Sequence, residues 1–372
     1  MSTSRRDFLR VSAGTAAALS LGLSRPRPAV ARARESLDIL ILGGTSFIGP
    51  HQIRYALERG HRISTFNRGQ TDPRLFLGVF DQVEQLTGDR NGDLEALEGR
   101  TWDAVIDNSG QRVEWARDSA NLLADSVRHY LFVSSTGVFW PYLSVGLTEE
   151  DQPRTVDDPP QDPPSYGVMK YLSEREVQRA FGDRAIIVRP NYIVGPGDTT
   201  DRFPYWPVRI AQGGEVLLPG GPFDPVQFMD VRDLTEFMIH LIEDSTTGVF
   251  NVGGPYPTTT TVAEMAYAIR AVTTEPVEWT YVDDYDFLRE SGVGAMVPWV
   301  MPRGNSLGHT RVSYQKAVAH GYRFRPLADT VRDTLDWWAS DAVPAERRND
   351  PNFVLTRERE AEILAAWHAR GS

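Results

Sequence analysis

Short apolar runs alternate along the chain with stretches whose apolar residues recur every three or four positions. The first run, LDILIL at 37–42, is typical of a strand that is buried on both faces of a sheet. Gly43 and Gly44 interrupt it, a helical spacing of apolar residues follows from Ile48, and Gly60 ends that pattern. This segment is therefore predicted to form a strand, a glycine turn and a helix.

The same alternation continues through the first half of the chain. Residues 62–66 form a second predicted strand, and later apolar runs end in small or polar residues in VEQLTGD, DAVIDNSG, HYLFVSSTGVF and RAIIVRPNYIVGPGD. Helical patterns such as VEWARDSANLLAD lie between them. Strands that alternate with helices predict an α/β fold, a doubly wound parallel sheet of the Rossmann type that binds ligands at the carboxyl ends of its strands.

We divide the chain into four parts. Residues 36–190 are predicted to form the Rossmann domain, and residues 191–340 a smaller C-terminal α/β part that mainly binds substrate and returns some strands to the Rossmann sheet. Residues 341–372 form a helical tail. Its amphipathic end, LTREREAEILAAWHAR, predicts docking on the body of the protein or on a second subunit of a homodimer.

Residues 1–31 have the order of an export signal. Arg5 and Arg6 precede a weakly apolar stretch rich in Ala, Gly, Ser and Leu, and Ala29-Val30-Ala31 offers a small-x-small cleavage site. This order is typical of a twin-arginine signal, which predicts export by the twin-arginine machinery to the periplasm or the medium. A disordered or merely amphipathic basic leader is the alternative.

Charge and composition limit the partners. The chain has a formal net charge of −11, and cleavage after Ala31 removes five arginines and one aspartate, which makes the charge −15. Because an acidic surface repels phosphate backbones and anionic lipids, binding to nucleic acid or to a membrane surface is not expected. No apolar run is long enough to span a membrane.

The chain has no cysteine and its seven histidines show no paired spacing, so a metal site is not expected, except one built from carboxylates alone.

The glycine turn suits a dinucleotide. Glycines let the backbone turn tightly and approach a pyrophosphate, whose charge then lies against the amides and the dipole of the following helix. Tight turns also need glycine for structural reasons alone. The position between a buried strand and a helix favours the dinucleotide interpretation.

Four motifs follow one another along the chain, GGTSFIG at 43–49, SSTGVF at 134–139, YGVMK at 166–170 and RPNYIVGPGD at 189–198. With these motifs the chain resembles the extended (atypical) short-chain dehydrogenases/reductases, and within them the NAD-dependent epimerase/dehydratase family. The resemblance covers most of the chain after the leader. It implies that the Rossmann domain binds NAD(P) and that the protein is an oxidoreductase or an isomerase.

The resemblance also implies the cofactor contacts. Those of the glycine turn are Gly43, Gly44, Thr45, Ser46, Phe47, Ile48 and Gly49. Asn67 and Arg68 stand where NAD-preferring members carry an acid, and Arg68 suits a 2′-phosphate, which favours NADP slightly over NAD. Asp89 matches the acid near the adenine amine, unless it is a plain loop carboxylate, and Asn108 matches a loop position beside the nicotinamide.

Tyr166 and Lys170 match the catalytic pair of the family, and both also contact the cofactor in this interpretation. Ser135 aligns with the family's catalytic hydroxyl, with Ser134 and Thr136 as alternatives in register. The spacing of four places the Tyr and Lys side chains on one face of a helix.

The chemistry of these residue types supports the roles. A tyrosine of ordinary pKa, about 10, is a weak base near neutrality, and an ammonium on the same helix face is expected to lower that pKa. We therefore expect Tyr166 to act as general acid/base, Lys170 to tune it and anchor the nicotinamide ribose, and Ser135 to bind the reacting oxygen. The helix is predicted to start after Ser165 as N-cap.

The second half departs from the family members that use nucleotide sugars. Tyr192 and Val226 occupy the places where those members carry an Asn and an Arg that grip the nucleotide diphosphate. A nucleotide-sugar substrate is therefore not expected. Residues 201–207 and 283–305 offer aromatics and glycines that either line a pocket or pack the two halves together.

The leading hypothesis is an exported NAD(P)-dependent oxidoreductase, epimerase or dehydratase acting on a small substrate, sugar-like or otherwise. The alternative is a non-catalytic protein of the same fold that binds a nucleotide or RNA, since a plant plastid branch with a similar glycine turn is associated with RNA. The net charge and the Ser135, Tyr166 and Lys170 set argue against that alternative.

Overall fold

The computed structural model describes residues 30–108, 110–256 and 258–370. By compactness the chain divides into two units, Met1–Arg32 and Ala33–Ser372, and the architecture below is that of the second. The predicted export signal lies, except for its last two residues, outside the described residues, so it stays a prediction.

The first half of the second unit alternates strands with helices, as predicted. In chain order its elements are β1 Asp38–Leu42, α1 Ile48–Arg59, β2 Arg62–Asn67, β3 Glu84–Thr87, β4 Trp102–Asp107, α2 Val113–Leu123, β5 Val127–Val133, α3 Tyr166–Phe181 and β6 Ala185–Pro190.

The second half contains shorter strands and more helices. In chain order its elements are β7 Tyr192–Val194, α4 Tyr205–Ala211, β8 Gly214–Pro219, β9 Pro225–Val226, β10 Phe228–Asp230, α5 Val231–Glu243, β11 Gly248–Val252, β12 Thr260–Thr261, α6 Val262–Arg270, β13 Val277–Val282, α7 Tyr285–Glu290, β14 Ala295–Met296, β15 Trp299–Val300, α8 Gln315–Ala319, α9 Leu327–Ala339, α10 Ala345–Asn349 and α11 Arg357–Arg370.

Seven strands form one parallel sheet in the order β11-β6-β5-β4-β1-β2-β3. The interior strand β1 pairs with β2 on one side and with β4 on the other, so Ile39 lies beside Ile63 and also beside Ala104. The strand order reverses at this point, and a crevice opens there at the carboxyl ends of the strands. The predicted doubly wound Rossmann-type sheet is thus confirmed.

Alternate residues of the strands are buried on opposite faces of the sheet. Ile39 and Ile41 pack with α1 and α5, whereas Leu40 and Leu42 pack with α2 and α3. Complete burial of each such side chain stabilises the fold by about 1.5–3 kcal/mol. Because helices cover both faces of the sheet, the successive residues Ile39 to Leu42 of β1 are all buried, and this explains its uninterrupted apolar run.

The second half adds a layer beside the carboxyl ends of the sheet and returns one strand to it, since β11 pairs with β6. The parallel pair β8-β13 and the small sheet β12-β9-β15-β14 surround its own core. None of the helices in the described ranges is long and apolar enough to cross a bilayer.

The tail helix α11 docks on this second half, as predicted for the body of the protein. Ile363 and Leu364 lie in its core. Glu360 is buried and accepts hydrogen bonds from Arg209 Nε at 2.5 Å and from the Leu217 amide at 3.0 Å. This carboxylate therefore anchors the tail to α4 and β8.

Candidate active site

A groove runs across the carboxyl ends of the central strands. It consists of two adjoining cavities, one of about 400 Å³ beside the glycine turn and one of about 690 Å³ beside the start of α3. Phe47, Ile48, Asn108 and Gln111 line both cavities. The groove is therefore continuous from the glycine turn to the predicted catalytic residues.

The glycine turn requires glycine at two positions, for its backbone conformation at Gly44 and for lack of space at Gly49. Gly44 has φ 116°, a conformation that other residues rarely adopt, and a Cβ on Gly49 would lie 2.2 Å from the Gly44 Cα. The first turn of α1 therefore packs directly on the loop, and residues 43–48 line the first cavity. Such a cradle fits a dinucleotide pyrophosphate.

Ten of the thirteen predicted cofactor contacts line the first cavity, while Tyr166 and Lys170 line the second. The ten are Gly43, Gly44, Thr45, Ser46, Phe47, Ile48, Asn67, Arg68, Asp89 and Asn108. Gly49 lies behind the turn instead. The Asn67 and Asp89 side chains also stabilise turns, because each accepts a backbone N–H bond at 2.8 Å, from Gly69 and Asn91 respectively.

Two residues that were not predicted shape this cavity: Gln52 bonds Asn108 in its lining, and Trp115 lines it directly. Gln52 on α1 exchanges two amide hydrogen bonds with Asn108, at 2.6 and 3.0 Å, which fixes the loop after β4. Trp115 on α2 lines the cavity with an indole N–H that is buried and has no hydrogen-bond partner in the described part of the chain. An unsatisfied donor at this place fits a ligand rich in acceptors, as a nucleotide is. Neither residue belongs to a sequence motif, so only the folded structure reveals them.

The structure brings Ser135, Tyr166 and Lys170 together in the second cavity. Two glycines make this possible, since a Cβ on Gly167 would lie 2.2 Å from the Gly137 carbonyl oxygen. The start of α3 therefore packs closely on the turn after β5. Ser135 Oγ accepts a bond from the Gly137 amide at 3.0 Å, which leaves its own proton free to donate.

Lys170 is held beneath this cavity. Its Nζ donates to the Val133 carbonyl at 3.0 Å and lies 6.0 Å from the centre of the Tyr166 ring, and the residue is only 5% exposed. Burial lowers the pKa of Lys170 to about 8, against the opposing influence of the Asp107 carboxylate. The ammonium therefore begins to lose its charge within the physiological range.

Tyr166 differs from expectation in its pKa. Burial by the surrounding protein raises that pKa above its ordinary value, while the Ser135 hydroxyl and the Arg202 charge act in the opposite direction. The residue nevertheless keeps 58% of its surface open towards the cavity. The raised pKa keeps Tyr166 protonated at neutral pH, so it is able to donate a proton.

The helix α3 begins at Tyr166, as predicted, but its cap differs. Ser165 occupies the N-cap position without a capping bond from its side chain. Its amide donates instead to the Asp157 carboxylate at 2.8 Å. The Asp157 contact thus orients the chain just before the helix.

Five side chains outside the predicted set of site residues line the wall of the second cavity. They are Trp140, Tyr142, Tyr192, Arg202 and His309. Of the two candidate pocket segments, 201–207 contributes Arg202, while its aromatic residues are buried in the core of the second half. In the segment 283–305, Tyr285 and Trp299 both bind Asp224, which is packing rather than pocket lining.

In the described ranges, no group of three or more acidic or histidine side chains could hold a metal ion.

Comparison with known proteins identifies relatives of the chain. It is 26% identical over 231 residues to the chloroplast stem-loop binding protein of 41 kDa b from Arabidopsis thaliana. This match covers 58% of this chain and 58% of that protein. It is also 28% identical over 180 residues to the 2-alkyl-3-oxoalkanoate reductase of Stenotrophomonas maltophilia (strain K279a). That match covers 44% of this chain and 52% of that protein. The chain thus spans little more than half the length of these curated relatives.

A solved structure shares the fold. The dTDP-glucose 4,6-dehydratase of Bacillus anthracis str. Ames, in complex with NAD, superposes with a TM-score of 0.59 at 16% identity, covering 82% of this chain and 96% of that one. The family model described as NAD dependent epimerase/dehydratase family matches residues 39–253, which run from β1 through β11. Since that match spans more than half of the chain, the protein belongs to the NAD dependent epimerase/dehydratase family.

Proposed function

We propose that the protein catalyses NAD(P)-dependent hydride transfer at a hydroxyl or carbonyl carbon of a small substrate, as an oxidoreductase, epimerase or dehydratase. The observation that carries this proposal is the meeting of Ser135, Tyr166 and Lys170 in a cavity that adjoins the glycine turn. Membership of a family of epimerases and dehydratases supports it.

Each of the three residues has a role in the proposed reaction. In the reductive direction, Tyr166 gives its proton to the substrate oxygen, because its raised pKa keeps it protonated. Ser135 donates a hydrogen bond to the same oxygen, and Lys170 supplies positive charge beneath the phenol. When bound, a nicotinamide cofactor supplies or accepts the hydride.

Cofactor binding is assigned to the first cavity. Gly44, Ser46 and the start of α1 would hold the pyrophosphate, and Arg68 would bind a 2′-phosphate, which favours NADP over NAD. Arg68 has no carboxylate partner in the described residues, so its charge is available to a ligand. Lys170 would hold the nicotinamide ribose.

The substrate is proposed not to be a nucleotide sugar. Tyr192 lines the second cavity, and Val226 is buried in the small sheet of the second half, so neither offers the polar grip on a diphosphate expected of nucleotide-sugar enzymes. The similarity to a 2-alkyl-3-oxoalkanoate reductase supports reduction of an oxo group. Release of the cofactor after each turnover would distinguish a reductase from an epimerase, which keeps it bound.

Identification of the bound nucleotide tests the cofactor assignment. The protein is purified, denatured, and the released small molecules are measured by absorbance and mass. We expect NADP or NADPH. NAD would contradict the role of Arg68. The absence of any nucleotide, together with no binding of added NAD(P)H, would favour a non-catalytic or RNA-binding protein, and the first relative is by name a stem-loop binding protein.

Substitution of the proposed acid tests the reaction. Tyr166→Phe should reduce turnover by about 10²–10⁴-fold while cofactor affinity changes little. Tyr267→Phe is the control, because Tyr267 on α6 is exposed and lines neither cavity. Full activity of the Tyr166 variant would disprove the mechanism.

We further propose that the protein is exported by the twin-arginine route. Arg5 and Arg6 support this location. The double variant Arg5→Lys/Arg6→Lys should remain in the cytoplasmic fraction, whereas the native chain should appear outside it. Equal distribution of both proteins would contradict export by this route.

A further inference from the structure

Aromatic rings form one wall of the second cavity. The Tyr142 and His309 rings stack with centroids 4.3 Å apart and an interplanar angle of 10°. Tyr192 lies 5.2 Å from His309, and Trp140 lies 6.1 Å from Tyr142. Trp140 remains 48% exposed at the edge of this wall. The wall therefore offers apolar faces to whatever occupies the cavity.

The wall is rigid and uncharged. Asn191 donates to the His309 carbonyl at 3.0 Å, and the segment around His309 pairs with the segment around Tyr142 through backbone bonds, including Gly308 N to Tyr142 O at 2.9 Å. Burial lowers the pKa of His309 to about 4, so its ring is neutral at ordinary pH. The aromatic wall is thus better suited to contact an apolar part of a ligand than an anionic part.

Arg202 brings a positive charge to the same cavity. Its guanidinium lies 5.3 Å from the centre of the Tyr192 ring, and its Nε donates to Thr200 Oγ1 at 3.0 Å. No carboxylate in the described part of the chain lies within ion-pair distance of it. Its charge is therefore available to a ligand.

The two carboxylates nearest in sequence are committed elsewhere. Asp198 accepts bonds from the Thr200 amide at 2.8 Å and from the Thr200 hydroxyl at 2.6 Å. Asp201 accepts from Arg347 Nε at 2.8 Å and from the Asn352 amide at 3.0 Å. The local structure thus keeps Arg202 unneutralised although two acids flank it.

Because Arg202 is the cation of this cavity that is available to a ligand, the cavity suits a ligand with a single carboxylate. Lys170 is the other cation that lines this cavity, and it is buried and bonded to the Val133 carbonyl. A diphosphate carries at least two charges and is gripped by several donors, whereas a single guanidinium fork matches a carboxylate. The cavity therefore fits a ligand with one anionic group beside an apolar part.

We infer that the substrate is a small oxo or hydroxy acid whose carboxylate binds Arg202 and whose apolar chain or ring lies on the wall of Trp140, Tyr142, Tyr192 and His309. This inference rests on the proposed function and names its substrate class. In reduction, the carbonyl carbon gains a hydride from the reduced cofactor, which is thereby oxidised. The carbonyl oxygen gains the Tyr166 proton, and the carboxylate is unchanged.

Binding measurements test the carboxylate site directly. Octanoate and octanamide are titrated by calorimetry into the cofactor-loaded protein. Octanoate should bind about tenfold to a hundredfold more tightly, because a charge-assisted bond is worth roughly 1.5–3 kcal/mol. Arg202→Gln should remove this preference without changing cofactor affinity. Arg128→Gln is the matched control, an exposed arginine at the amino end of β5. Equal affinities in the native protein, or an unchanged preference in the Arg202 variant, would overturn the inference.

A chain-length series tests the apolar wall. Affinity should increase about threefold to fourfold per methylene from butanoate to octanoate, as expected for burial of CH₂ groups. Trp140→Ala should flatten this increase, and its melting temperature is measured to verify folding. A flat series in the native protein would overturn the assignment of the wall.

Turnover separates this inference from the proposed function. 3-Oxooctanoate and its methyl ester are compared as substrates with the reduced cofactor that the protein binds. Preferential reduction of the acid supports the inference. If the ester is reduced equally well, hydride transfer stands and the carboxylate role of Arg202 is wrong. If neither is reduced but octanoate still binds through Arg202, the acid-binding site stands and the proposed reaction fails.

Discussion

Lys170 shows how a single residue type is selected by its surroundings. Only it and Lys316 are lysines among 39 basic residues. Its ammonium occupies a buried position, 5% exposed, and donates to the Val133 carbonyl at 3.0 Å. A compact head fits there, whereas a guanidinium would need a wider space and more acceptors.

The activity should depend on the charge of Lys170. Because burial lowers its pKa to about 8, the ammonium is present below that pH and is lost as pH rises through it. Tyr166 stays protonated over the same range because its pKa is raised. The rate of reduction should therefore fall by about tenfold per pH unit above the pKa of Lys170, which a pH–rate profile from pH 6 to 10 measures.

Lys170→Arg provides the control for this profile. The variant retains its charge throughout, so its alkaline decrease should disappear, at a lower maximal rate caused by the poorer fit of the side chain. A native profile that stays flat well above pH 8 would contradict the role of Lys170.

Local spacing made the meeting of the proposed catalytic residues predictable. Tyr166 and Lys170 are four residues apart, so a helix alone places them on one face. The close approach of Gly167 to Gly137 and the position of His309 depend on contacts between distant segments. For the same reason the pKa of Tyr166 was predicted in the wrong direction, since sequence spacing does not reveal burial.

At the scale of elements, a buried ion pair fixes α3 against the sheet. Glu174, one turn after Lys170, accepts two bonds from Arg189 of β6, at 2.8 and 2.6 Å. It also accepts a bond from Ser134 at 2.5 Å, directly beside Ser135. One carboxylate thus links α3, β5 and β6 behind the proposed catalytic residues.

Removal of this charge should destabilise the protein and disturb catalysis together. Glu174→Gln leaves Arg189 buried without its partner, which should lower the free energy of unfolding by about 3–5 kcal/mol. Urea unfolding measures this change. Glu176→Gln on the same helix removes an exposed pair with Arg179 and should cost at most about 1 kcal/mol. Equal losses in the two variants would show that the buried pair has no special role.

The strands of the first half were predictable because their burial requires apolar runs. β1, β4 and β6 lie inside the parallel sheet, and each run of apolar residues ends where the strand ends. The second half offered no such signal, since β9, β12, β14 and β15 are two residues long. Pairing with distant segments, rather than local pattern, forms these strands.

At the scale of the whole molecule, the tail holds a loop that lines the second cavity. Arg347 of α10 donates to the Asp201 carboxylate and, at 2.7 Å, to the Asp198 carbonyl. Its guanidinium lies over the Trp337 and Trp338 rings at 5.3 and 5.4 Å. The tail lies beyond the segment matched by the family model, yet it holds the loop that carries Arg202.

Arg347 should consequently affect substrate and cofactor differently. Arg347→Met keeps the apolar contact with the Trp rings but leaves Asp201 without its cation. The freed carboxylate lies one residue from Arg202 and is expected to compete for its guanidinium. KM for an acidic substrate should then rise by about tenfold, the size of one charge-assisted bond, while the affinity for NAD(P)H, bound at the glycine turn, stays unchanged. Arg348→Met is the matched control, because in the described part of the chain the Arg348 side chain donates to the Ser340 and Val343 carbonyls. If the affinities for the acidic substrate and for NAD(P)H fall together, the tail stabilises the fold as a whole. If only KM for the acidic substrate rises, the tail positions the loop that carries Arg202.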